Sequence, residues 1–138
     1  MKVTPWTVPA LVVLFAAMGL GGARFLAAPS IIRDYAAPPA GGGAVTVFKV
    51  RGMKCVDTAK AAAAQLEGVP GVVRFTAYAS RHTAEIAYDP SAATVGILRK
   101  AIEGPVHDPE TGEYIFGVYS VLEIDGVAVH DRDRSVRP

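Results

Sequence analysis

VTVFKVRGMKCVDTAKAAAAQLEGVPGV, residues 45–72, decides how this chain folds. Val45, Val47, Phe48 and Val50 favour a strand, and Thr46, Phe48 and Val50 alternate onto one of its faces. Asp57 or Thr58 can cap the start of a helix. Lys60 to Gln65 is an alanine-rich helical run, which Gly68 and the Pro70-Gly71 pair then stop. The single cysteine, Cys55, therefore falls at or just before a helix N-terminus. Backbone N–H groups and the helix dipole favour an anion there. The Cys55 thiol is expected to lose its proton more readily than a free cysteine, and Lys54 pushes the same way.

Downstream, Val72 to Ala79 reads as a second strand, Ser80-Arg81 as a turn, and Thr83 to Tyr88 as a third strand. Ala84, Ile86 and Tyr88 share one face of that third strand, and Asp89-Pro90 closes it. Thr94 is the expected cap of a second helix, with Ile97, Leu98, Ala101 and Ile102 as its buried stripe. Gly104 to Gly112 is a loop, and Tyr114 to Ile124 reads as one long fourth strand. Asp125-Gly126 is a hairpin signal that folds Val127 to Val129 back as a short fifth strand. The order predicts an α+β fold, a ferredoxin-like βαββαβ sandwich with an antiparallel sheet and two helices on one face. Lys49, Thr76, Tyr78, Thr83 and Glu85 are expected on the open face.

The stretch resembles the heavy-metal-associated domain, the fold of small copper chaperones and of the N-terminal modules of metal-pumping P-type ATPases. Gly52, Met53 and Cys55 match the family motif Gly-Met-x-Cys-x-x-Cys, and Thr58 stands at the second cysteine. Leu66, Pro70, Gly71 and Val72 follow at the family's spacing. Tyr88-Asp89-Pro90 and Ala101-Ile102 match the end of the third strand and the second helix. The resemblance spans residues 44–124. It implies the same sandwich and a soft metal, copper(I) ahead of zinc or mercury. In that fold three connections share one end of the sheet, and they carry Cys55, His82 and His107. One thiolate and one or two imidazoles suit Cu(I) or Zn(II). The chain departs from the family after Gly104, where Pro105 and a longer loop replace the usual Gly-Tyr. The same residues also read without metal: Cys55 as a small half-buried side chain, His82 and His107 as surface histidines, and Met53 as core packing. His130 lies in a charged tail.

Ahead of this domain, Val3 to Ala23 is a run of 21 residues without charge, long enough to cross a hydrocarbon core. Two readings stand. One is an uncleaved transmembrane helix with Trp6 at the interface. The other is a signal peptide with Lys2 before it and Gly21-Gly22-Ala23 as the cleavage site. The expected organisation is a membrane segment at 1–25, a Pro/Gly linker at 26–43, the heavy-metal-associated-like domain at 44–130, and a charged tail at 131–138.

Of 138 residues, 14 are Lys or Arg and 13 Asp or Glu, so a net charge of +1 offers no electrostatic case for nucleic acid. No paired carboxylates, Ser/His/Asp set or phosphate loop is visible, and no enzyme is expected. These readings converge on a single-pass membrane protein with an extracytoplasmic domain. It would bind or transfer Cu(I) with a metal transporter or acceptor as partner. The alternative is a metal-free accessory subunit docked on a larger membrane complex. If Val3 to Ala23 spans the bilayer uncleaved, the mature chain keeps its first 23 residues and resists a carbonate wash. An intact mass beginning at Arg24 would refute it.

Overall fold

The computed structural model describes residues 9–17 and 28–129. Helix α1 covers residues 9–17, and every side chain along it is exposed, Leu11, Val12, Val13, Leu14 and Phe15 included. Among the described residues no helix is long and apolar enough to cross a membrane. The rest of the Val3–Ala23 run, His130 and the charged tail lie outside the described residues.

The domain is built on strands β1 (Ile31–Asp34), β2 (Ala44–Arg51), β3 (Val72–Tyr78), β4 (Thr83–Tyr88), β7 (Ser120–Ile124) and β8 (Val127–Ala128). They form one antiparallel sheet in the order β1-β3-β4-β2-β7-β8. The inner four strands, with helices α2 (Val56–Gln65) and α3 (Val95–Ile102), make the expected ferredoxin-like βαββαβ sandwich. Thr46, Phe48 and Val50 of β2 and Ala84, Ile86 and Tyr88 of β4 all point to the core. Phe48, Met53, Leu66, Phe75, Ile86, Leu98 and Ile102 are completely enclosed. Each such side chain contributes about 2 kcal/mol by leaving water. Helix α2 buries only Ala59, Ala62 and Ala63, whose small side chains let its backbone lie close to the sheet. Thr94 caps α3 by accepting the Ile97 N–H.

Four expectations need correction. Residues 26–43 are not simply a linker. Ile31–Asp34 pairs with β3, the Tyr35 hydroxyl donates to the Ala63 carbonyl at 2.5 Å, and Arg33 pairs with Glu67. The β-branched pair Ile31-Ile32 has an open sheet edge to join, and tertiary pairing overrides the Pro/Gly composition on its C-terminal side. Tyr114 to Ile124 is not one strand. Asp108 accepts the Glu110 N–H at 2.8 Å and turns the chain. Strands β5 (Val106–His107) and β6 (Tyr114–Ile115) then form a separate hairpin, and Gly117 at φ 73° ends it before β7 begins. Ile97 is 47% exposed, because only Leu98 and Ile102 on this eight-residue helix lie squarely over the sheet. The open face is less open than expected, with Thr76, Tyr78, Thr83 and Glu85 half-buried beside their neighbours.

The Asp125-Gly126 turn forms as expected, with φ of 51° and 82° at its two residues. Both being positive defines the type I′ geometry that matches strand twist. Asp125 also reaches back to β2, accepting from Thr46 Oγ1 at 3.0 Å and the Val47 N–H at 2.8 Å. That satisfies the buried Thr46 hydroxyl.

Burial pushes the Tyr35 phenol up to about 12, with Arg33 opposing and Glu67 adding to the rise. The unfolded phenol ionises near 10, so the folded state holds its proton more tightly. The stabilisation is complete below about pH 10 and is lost as pH rises toward 12. Tyr35→Phe is expected to reduce the loss of stability over that interval in denaturant titrations, while lowering stability at pH 7 by about 1 kcal/mol for the lost hydrogen bond.

Candidate metal centre

Strand β2 ends at Gly52, whose φ of 102° few other residues adopt. A Cβ there would stand 2.2 Å from the Val118 carbonyl oxygen. The chain then drops Met53 into the core and presents Cys55, exposed, as the N-cap of α2. One hydroxyl organises this loop. Thr58 Oγ1 accepts the Lys54 N–H at 2.8 Å and the Cys55 N–H at 2.9 Å. It has a single proton to give, and two acceptors stand within reach, the Cys55 carbonyl at 2.9 Å and Cys55 Sγ at 3.5 Å.

The thiol pKa is lowered from its ordinary value, chiefly by the Thr58 hydroxyl and then by the Thr58 backbone N–H. A smaller push comes from the Asp57 N–H, while slight desolvation and the Asp57 charge work the other way. The cause is a set of hydrogen-bond donors at a helix start, which favour the charged form of the sulfur over the neutral one. The lowering comes first from Thr58 rather than from the Lys54 charge.

His82 follows the 3-10 turn Ala79–Arg81 in the left-handed region, φ 55°. Its Nδ1 lies 2.7 Å from the Met53 carbonyl. A carbonyl only accepts, so Nδ1 carries the proton and Nε2 keeps its lone pair when the ring is neutral. That is the arrangement of a ligating histidine held by a backbone carbonyl. The hairpin and the Cys55 loop are thus brought together. His107 is not joined to them by any described contact. It sits edge-on to Tyr114, ring centroids 5.2 Å apart. Its strand starts where Gln65 Nε2 holds the Gly104 and Pro105 carbonyls, at the last turn of α2, about 15 Å along the helix from Cys55.

The residue that sequence reasoning missed is Tyr119. It is buried, and its hydroxyl donates to the Thr58 carbonyl at 2.6 Å. Burial raises its pKa, and the neighbouring Cys55 charge raises it further. Reading Tyr114 to Ile124 as one strand hid it; the break at Gly117 was its only signal. Among the described residues no group of three or more His, Cys, Asp or Glu side chains could hold a metal ion. What the loop offers is one accessible thiol, with an imidazole next to its base.

No known family profile matches the chain, and no curated protein matches it. Among solved structures, it is similar to the N-terminal domain of a potential copper-translocating P-type ATPase from Bacillus subtilis in the Cu(I)-loaded state. The identity is 18%, the TM-score 0.42, and the match covers 64% of this chain and 98% of that one.

Thr58→Val removes the hydroxyl and keeps the shape. The pH midpoint of Cys55 alkylation is expected to rise, because the largest cause of its lowering is gone. The same change costs about 1 kcal/mol of helix capping. An unchanged midpoint would show that the backbone donors alone set the thiol.

Proposed function

We propose that this chain is a membrane-anchored, single-thiolate carrier for a soft metal ion, copper(I) foremost, which it takes and passes on as cargo. The observation that carries the reading is the exposed Cys55 sulfur at the α2 N-cap, its thiolate favoured by the Thr58 hydroxyl. Soft thiolates select Cu(I) over harder cations. A lone thiolate cannot enclose the ion, so the second ligand comes from the acceptor's thiolate or from His82 Nε2. Transfer proceeds by ligand exchange: the incoming thiolate bonds the ion as Cys55 Sγ lets go. The Thr58 proton, shared between the Cys55 carbonyl and Sγ, then turns to the released sulfur. His107 remains a weaker proposal as ligand, because the contacts that anchor its hairpin start at the far turn of α2.

The 21-residue uncharged run supports the anchor, as do the exposed apolar side chains of α1 within it. An extracytoplasmic orientation follows from the likeness of that run to an export signal. A metal-free accessory subunit is the competing reading.

Cu(I) competition titrations separate the two. Cys55→Ser is expected to abolish competition and any metal-bridged dimer, and His82→Ala to weaken binding non-additively with it, while His107→Ala leaves it unchanged. Binding should weaken as pH falls through the imidazole range if His82 ligates. Thr58→Cys should raise affinity by orders of magnitude, at a cost of about 1 kcal/mol from the lost cap. Equal, weak affinity in the native chain and Cys55→Ser would leave the accessory-subunit reading.

A further inference from the structure

The direction in which the chain enters the sheet orients the domain. Strand β1 runs antiparallel to β3, with Ile31 opposite Ala77 and Asp34 opposite Arg74. The Ser30 N–H donates to the Ala77 carbonyl at 2.7 Å, and Ser30 Oγ accepts the Ala79 N–H at 3.0 Å. Ser30 is therefore fastened beside the Ala79–Arg81 turn, whose next residue, His82, touches the loop of Met53. The chain comes in at the Cys55 end and runs away from it. Between Ala23, the last residue of the uncharged run, and Ser30 there are only seven Cα steps. Fully stretched, they span at most about 25 Å.

That same end carries exposed apolar side chains. Val56, adjacent to Cys55, is 44% exposed, and Phe116 is 78% exposed. Phe116 lies two residues from Val118, whose carbonyl packs on Gly52. Arg51, Lys54 and Arg81 are exposed at this end, with Asp57 in the first turn of α2 and the exposed Glu110 and Glu113 in the hairpin that precedes Phe116. Exposed apolar tips with cations beside them suit the headgroup region of a bilayer.

We infer that the Cys55 end of the domain lies against the lipid surface, with Phe116 and Val56 in the headgroup region. Cys55 then meets acceptors at the mouth of a membrane protein, and diffusing carriers reach it poorly. The inference rests on the anchor in the reading above. It adds which end faces the bilayer and limits the exchange partner to one embedded beside it.

The test uses the full-length chain in vesicles of phosphatidylcholine and phosphatidylglycerol. Cys55, the only cysteine, is labelled with bimane, and quenching by doxyl-labelled lipid is measured. The reference is Glu67→Cys in the Cys55→Ser background, roughly 15 Å further from the Cys55 end by the rise of α2. Quenching at Cys55 at least twofold stronger than at position 67 is expected, and Phe116→Asp should remove most of it without changing the melting temperature. Vesicle flotation of the labelled protein is followed in parallel. Failure to float would overturn the anchor and the inference with it. Flotation with equal quenching at the two positions, or stronger quenching at 67, would overturn the orientation alone. So would a Cys55 left unquenched in vesicles yet shielded from alkylation in native membranes, since a protein would then cover that end.

Discussion

Everything around Cys55 depends on the absence of one carbon atom at position 52. The Val118 carbonyl lies 2.2 Å from where a Cβ on Gly52 would stand, and the backbone there turns through φ 102°. Because nothing fills that space, the segment after the β5–β6 hairpin closes onto the end of β2. Tyr119 follows and reaches the Thr58 carbonyl. A side chain at 52 would push this segment outward and undo the contact that holds the first turn of α2 from behind.

Thr58 then converts this packing into chemistry. Its oxygen holds the two amides that lead into the helix, and its proton is divided between a carbonyl and a sulfur. A cysteine in that place would add a soft ligand and weaken the loop's hydrogen bonds, since sulfur is a poorer acceptor. The chain has the firmer loop and the single thiol.

The sheet is longer than its four inner strands at both edges, and the two additions do different things. On one side Asp125 folds β8 back and secures the buried Thr46 hydroxyl. On the other, β1 covers the edge of β3 and is pinned by Ser30, Arg33 and Tyr35. Pairing shields an edge that would otherwise invite other strands. It also makes the segment ahead of β2 part of the domain, so the chain enters the sheet at the Cys55 end.

Much of the fold was legible in the sequence because it is written in local chemistry. Period-two alternation marked β2 and β4 and the core side chains they bury. Thr94, Pro70-Gly71 and Asp125-Gly126 marked helix and turn ends through capping and positive φ. The placement of Cys55 at a helix start followed from the same signals, and so did the direction of its pKa. What lay beyond the sequence needed contacts between residues far apart in the chain. Strand β1 depends on an edge of β3 that lies 40 to 46 residues on. Tyr119 depends on a carbonyl 61 residues earlier. His82 and His107 were equal candidates on paper. Only the folded chain separates them, because a hydrogen bond to Met53 fixes one beside the thiol loop, while a turn at Asp108 draws the other into its own hairpin.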